Sequence, residues 1–512
     1  MKMEKMKRSV IIIVLIIQCA FLIYFGANKE SFHIDEVFSY GLSNNNYKPF
    51  EKFDADQWYD SDTIKNYLVA ENGETFDYGS VFYNQSRDVH PPLFYIILHT
   101  VCSVSPGILS KWQGISINII FFVLTQWILF LLMRDILNDE KKALISICFY
   151  GFSAGAVSMV VYVRMYMMLC FFCTLFIYLN HKLLEHSRTK LLVFMIINMI
   201  FGTLTHYYFY VFAFFVAAFF CITKFLKKEY KILVKYILSM FCSIFISVMI
   251  YPSVIEHIFK GSRGVQAFDN LKTNSLLIYF LEYVKIIQNQ LGIISIVLLT
   301  VILGVIIFGR KRICEGRENI MININWPTIG MMFSASLGYI MVIAKVAPYR
   351  ADRYVVCIYP ILIGVIISLV MAEIGKISDY KKRALFIGIC GFVILGTYRC
   401  GVNYLYSDFE DNIKPLQELG KQSAFIILEK EWKINGTLVT LIETEEFYTI
   451  CYDDIDEISE KFLENNMEET LLYISDDYDS VEDVITAVEL ETGLKNAEHL
   501  MSHGYFKIYH LY

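Results

Sequence analysis

The sequence predicts a polytopic α-helical membrane protein, about 11–13 transmembrane helices, with an extracytoplasmic α/β domain at its C-terminal end. Three observations carry that prediction. Hydrophobic residues make up 56% of the 512 positions, too large a share for a water-soluble chain of this length. The apolar residues gather into runs close to the roughly 20 residues that cross a bilayer. Charge is partitioned as well: residues 28–89 carry 12 acidic against 5 basic side chains, and residues 403–512 carry 25 against 7. Against a total of −6, the rest of the chain is therefore strongly basic.

The candidate spans are the runs 10–25, 92–104, 115–133, 144–161, 165–179, 191–204, 209–225, 236–251, 291–308, 328–346, 355–371 and 384–397. Lys2, Lys5, Lys7 and Arg8 precede the first run with no small-residue cleavage site after it, as expected of an uncleaved anchor with a cytoplasmic N-terminus. Basic residues cluster in loops around Arg134–Lys142, Lys182–Lys190, Lys224–Lys235, Arg310–Arg317 and Lys376–Arg383. The positive-inside rule makes those loops cytoplasmic and leaves Arg164, His206, Arg263, Arg353 and both acidic segments outside. One of the runs 92–104 and 115–133 must then be short or re-entrant, or the second must hide a turn. Most of the twelve cysteines lie in apolar runs, where a small buried hydrophobe is expected, and no CxxC pair outside the membrane supports structural zinc.

The division expected is a membrane domain over 1–402, its first external loop at 28–89, and a soluble domain over 403–512. In the latter, β-like runs at 437–442, 470–474 and 505–509 alternate with helical ones at 459–465 and 480–492.

Chemistry-bearing residues collect at one surface. "SFHIDEVFSYGLSN" places Asp35 and Glu36 just beyond the first helix, and "SRDVHPPLFYIILH" places Asp88 and His90 at the mouth of a helix that Pro91 and Pro92 start. Arg164 in "YVRMYMM", His206 in "LTHYYFY" and Arg353 in "YRADRYVV" join them on the external face. Ionisable groups at membrane depth are costly and usually functional. A carboxylate can deprotonate an attacking acceptor while guanidiniums bind a phosphate as it leaves. The blander readings are helix caps for the acids, interfacial snorkelling for the arginines and a local hydrogen bond for His206. Arg263, between glycines in "FKGSRGVQAF", reads as a mobile lid or an ordinary flexible loop. "DAD" at Asp54/Asp56 and "DSD" at Asp60/Asp62 read as solvated loop carboxylates.

The ordered strings "HIDEVFSYGL", "DVHPPLFYIILH", "RMYMM", "THYYFY" and "DRYVVCIYP" resemble the membrane glycosyltransferases of the GT-C class. The likeness is to the family 39 branch, similar to protein O-mannosyltransferases and the bacterial aminoarabinose transferases of lipid A. It implies a polyprenyl-phosphate sugar donor and inverting transfer at the external face of the cell membrane. It further implies Asp35 as catalytic base, Glu36 as its neighbour and Asp88 as the second acid. Arg164 and Arg353, with His206 and His90, are the expected donor phosphate-binding residues. The partners implied are that donor, membrane lipids and a glycan, lipid or protein acceptor; nucleic acid has no place. No metal ligands are assigned, and a divalent metal is left open. The competing reading is a transporter or flippase for a lipid-linked or anionic solute, although its usual signs, inverted repeats and charges at the bilayer midplane in broken helices, do not stand out. A third reading makes the protein a receptor or scaffold whose acidic C-terminal domain binds a partner.

Overall fold

The structure is a computed structural model that describes residues 8–311 and 324–512 except Asp56, Ser187, Ser378 and Asn466. Lys2, Lys5, Lys7, Asp56 and Arg317, all used above, lie outside the described residues.

The chain is a multi-pass membrane protein. Among the described residues eight helices are long and apolar enough to cross a bilayer, and two bent pairs, Glu140–Gly151 with Ala154–Val161 and Leu276–Leu291 with Ile293–Ile307, raise the number to ten. Adding the apolar helix Thr189–Thr205 brings it to eleven. Leu93–Val104 starts behind Pro92, as the two prolines require, but its 12 residues span about 18 Å and fall short of a bilayer. It is the short run needed between residues 90 and 134. Its Phe94, Tyr95, Leu98 and Cys102 are buried against the neighbouring helices.

Two glutamines inside the bundle pair with each other. Gln18 and Gln126 bond each other at 3.0 Å and both donate to the Ile147 carbonyl at 2.9 Å, beside the bend at Gly151–Ala154. No water reaches such groups in a bilayer, so they must satisfy one another.

The first long loop, residues 28–89, is more ordered than its acidity suggests. It holds helices Ile34–Asn44, Ser61–Leu68 and Tyr78–Arg87 and a short strand, β1, at Trp58–Asp60. The C-terminal region supplies β2 (Ala424–Ile427), β3 (Glu446–Ile450), β4 (Thr470–Ser475), β5 (Ala497–His503) and β6 (Phe506–Leu511). The six form one sheet in the order β1-β3-β2-β4-β6-β5, parallel across β3-β2-β4 and antiparallel elsewhere. The first loop therefore contributes an edge strand to the C-terminal sheet, with Tyr59 opposite Phe447.

Alternation along the strands sorts the two faces. Phe425, Ile427, Leu472 and Ile474 pack with Ile458, Val484 and Val488 of the covering helices, whereas Ile426, Leu471 and Tyr473 join the large core continuous with the membrane bundle. The helices predicted at 459–465 and 480–492 are found as Glu457–Glu464 and Val481–Thr492. The strand predicted at 437–442 is not: Leu438–Leu441 is a helical turn. Thr440 Oγ1 bonds the Thr437 carbonyl at 2.8 Å, a local bond that holds the backbone in a turn. Short apolar runs do not distinguish strand from helix by periodicity.

Candidate functional site

The site is built around the N-terminus of helix Ile34–Asn44. His33 caps it: the Asp35 amide donates to His33 Nδ1 at 3.0 Å and the His33 amide donates to Glu36 Oε2 at 2.7 Å, a reciprocal capping box. Glu36 also receives Lys29 Nζ at 2.9 Å and the Val163 amide at 2.7 Å, and is fully buried. Lys29 Nζ spends a second proton on the Tyr404 carbonyl at 2.6 Å. Glu36 thus ties the first loop to the chain beside Arg164 and is not among the residues that line the cavity described below.

Asp35 faces the other way. Its Oδ2 accepts the Tyr162 hydroxyl at 2.6 Å and lies 3.4 Å from the Arg353 guanidinium. Arg164 donates to the Asp35 carbonyl at 3.1 Å, and contacts Ser39 Oγ at 3.2 Å and the Tyr95 hydroxyl at 3.0 Å. Burial alone would raise the Asp35 carboxyl, but Arg164 and Arg353 outweigh it and hold the group well below the usual carboxylate range. His33 is pushed down to about 4, by burial first and then, against the pull of Asp35, by the two arginines.

A second layer fixes Tyr162 and Arg353. Tyr404 stacks on Tyr162 with ring centroids 3.9 Å apart, and its hydroxyl donates to Asp352 at 2.6 Å. Asp352 also receives Asn403 Nδ2 at 2.6 Å and the Arg353 amide at 2.7 Å. Sequence reasoning missed Tyr162, Tyr404, Asp352 and His33. Three of them lie within two residues of a residue it chose: Tyr162 beside Arg164, Asp352 beside Arg353, and His33 beside Asp35. Tyr404 carried no local signal.

Asp88 bonds His90 Nδ1 at 2.8 Å. Against burial, His90 and then Arg164 keep Asp88 below the ordinary carboxylate range, while burial lowers His90. With Nδ1–H donated to Asp88, the His90 Nε2 lone pair is left for another partner. The His90 ring lies 5.8 Å from the ring of His206. His206 Nδ1 accepts the Tyr208 amide at 3.0 Å, the local bond of the blander reading. Burial takes His206 well below its usual value, with His90 and Arg164 adding to the effect.

These groups open on one cavity of about 850 Å³. Asp35, Arg164, Arg353, His90 and His206 all line it, joined by His33; Glu36 and Asp88 do not. Its lining includes the apolar Val211, Ile244, Val248 and Val342 of the spanning helices with Phe268 and Leu271. Trp432 and Tyr505 of the C-terminal region also line it. Arg263 is on the wall too, but in a helix, Ser262–Thr273, where a loop was expected; it stacks over Tyr349 at 5.2 Å. Asp60 and Asp62 are away from the cavity, Asp60 capping helix Ser61–Leu68 by accepting the Asp62 amide at 2.8 Å. Among the described residues no three His, Cys, Asp or Glu side chains come together as a metal-binding group.

Residues 89–251, which include His90, Arg164 and His206, match the sequence model of the dolichyl-phosphate-mannose-protein mannosyltransferase family. Among solved structures, ArnT from Cupriavidus metallidurans bound to undecaprenyl phosphate superposes with a TM-score of 0.54 over 98% of both chains, at 9% identity. The fold is that of a GT-C membrane glycosyltransferase. The apo form of the same ArnT aligns with a TM-score of 0.47 over 96% of this chain and 98% of that one, at 10% identity. A search of curated proteins returned no match. The GT-C likeness read from five short strings thus agrees with a family match on the sequence and with a fold match over nearly the whole chain.

Proposed function

We propose that the protein transfers a sugar from a polyprenyl-phosphate donor to an acceptor at the external membrane face, with inversion. The observation that carries this reading is a single carboxylate, Asp35, set beside two guanidiniums on the wall of a cavity lined largely by apolar side chains. The apolar lining suits an isoprenoid tail, and Arg353 suits the bridging phosphate, since a guanidinium pairs bidentately with its oxygens. Arg164, whose Nε finds no protein partner among the described residues, is the second cation there. ArnT holding undecaprenyl phosphate on the same fold supports a carrier of that class.

In the reaction, Asp35 takes the proton of the acceptor hydroxyl or amine as its heteroatom bonds the anomeric carbon. The bond from that carbon to the phosphate oxygen breaks, its electron pair leaves with the lipid phosphate, and Arg164 and Arg353 offset the added charge. Attack opposite the leaving group inverts the anomeric centre. Because the donor phosphate competes with Asp35 for Arg353, its arrival weakens the pull that keeps Asp35 acidic and so makes Asp35 a better base. Asp88 positions His90, and Glu36 positions the helix that presents Asp35.

The N-terminus is cytoplasmic in this reading, since the eleven crossings among the described residues then carry residues 403–512 to the outer side with the first loop. The membrane domain is 1–402 and the soluble domain 403–512, with β1 lent to the latter. A transport reading would spread charge along a path through the midplane; here the charges sit at helix ends gathered at one cavity. The test is Asp35→Asn, assayed by mass spectrometry for loss of sugar from the donor and gain by the acceptor in native-lipid nanodiscs. Transfer is expected to vanish with insertion unchanged; full activity would refute the assignment.

A further inference from the structure

The C-terminal region reaches the cavity with two aromatic rings that the reaction as described does not use. Trp432 belongs to the turn Glu431–Gly436, and Tyr505 is at the tip of the β5–β6 hairpin. Their rings meet edge to face, 5.1 Å apart at 77°, and both line the cavity together with Asp35 and Arg353. The turn carrying Trp432 packs directly against the helix carrying Asp35. Trp432 is 49% exposed, although a tryptophan side chain gains strongly from burial.

The corner they form is rigid. Gly504 has φ +59°, and a side chain on it would strike the Gly436 backbone, so hairpin tip and turn touch main chain to main chain. Lys433 Nζ lies 5.7 Å from the Tyr505 ring centroid and bonds Asp477 at 2.6 Å and also Asp476. Asp477 is buried by this contact, whereas the Asp476 side chain remains 62% exposed. The region is also tied down beneath: Ser31 Oγ and His503 Nε2 are 3.1 Å apart, and the Glu30 amide donates to the Leu405 carbonyl at 2.8 Å.

We propose that Trp432 and Tyr505 form the acceptor subsite and that the acceptor is a saccharide, an inference that rests on the transferase reading above. Two aromatic rings set at 77° offer electron-rich faces to the C–H face of a pyranose ring, and the exposed Asp476 carboxylate, paired with Lys433 through one oxygen, keeps lone pairs that accept hydrogen bonds from sugar hydroxyls. An extended peptide would call for a row of backbone partners, and an acyl chain would call for an apolar wall without a carboxylate. Neither description fits this corner. A rigid platform also spares the entropy of ordering the side chains when the sugar binds. The C-terminal region thereby selects the acceptor, while the membrane helices hold the donor.

The test uses the full-length protein in nanodiscs and saturation-transfer NMR with cellotetraose, chitotetraose, mannotetraose and a Ser/Thr-rich decapeptide as probes. At least one tetrasaccharide should receive saturation, at least fivefold less in Trp432→Ala and Tyr505→Ala, with recovery in Trp432→Phe. Thermal melting of each variant controls for folding. The proposal is overturned if no tetrasaccharide binds, if both alanine variants keep the full signal, or if only the peptide binds. Failure of the transferase reading shows separately, as sugar transfer that survives Asp35→Asn.

Discussion

Tyr162 donates its hydroxyl to Asp35 Oδ2 at 2.6 Å and is itself held flat against Tyr404, 3.9 Å away. The two tyrosines come from distant parts of the chain and together aim one carboxylate into the cavity. Removing the hydroxyl with Tyr162→Phe keeps the stack but frees Asp35 to turn. A hydrogen bond to a charged group is worth about 1.5–3 kcal/mol, so a fall in transfer rate of roughly ten- to hundredfold is expected. Single-turnover measurement with saturating donor checks it; an unchanged rate would show that the bond does not position the base.

Arg353→Ala removes a cation that favours the ionised form of Asp35. The carboxyl then rises from its depressed position toward the ordinary value, so the acid limb of the rate profile moves to higher pH. Weaker donor binding should accompany the shift, because the same guanidinium meets the phosphate. A pH–rate profile for the two proteins, with donor KM at each pH, reads both effects. Weaker donor binding without a displaced limb would assign Arg353 to the phosphate alone.

Lys29 and Glu36 form an ion pair that solvent does not reach. Lys29→Met leaves the Glu36 carboxylate buried with only two backbone donors, a change expected to cost about 3–5 kcal/mol. Lys29→Met combined with Glu36→Gln should recover a large part of that loss, since the uncompensated charge is gone. Thermal unfolding in nanodiscs measures the series. Equal losses in the single and double variants would mean that Glu36 acts through its amide partners rather than through charge.

Gly504→Ala forces a side chain into a left-handed backbone conformation and against Gly436. The conformational part alone costs about 1–2 kcal/mol. The β5–β6 tip should lift and expose Tyr505, seen as faster proteolysis or hydrogen exchange confined to residues around 431–436 and 503–506. Protection identical to that of the unaltered protein would argue against a close contact there.

The membrane class, the two acidic segments and the main ionisable residues of the candidate site could be read from the residues alone. Asp35, Arg164, Arg353, His90 and His206 were legible because charge at the end of an apolar helix is costly and stands out against its neighbours. The sequence also showed, through Pro91 and Pro92, where a helix must start, and left one of two neighbouring runs too many to cross. Which way each acid turns is set by contacts between distant segments. Asp35 and Glu36 are adjacent and chemically alike, yet successive residues on a helix point about 100° apart, and the donors that claim Glu36 come from Lys29 and Val163. The same holds for the pairing of β1 with β3, the stack of Tyr404 on Tyr162 and the Trp432–Tyr505 corner. Each joins segments far apart in the chain, and no local pattern encodes a partner that the fold alone brings near.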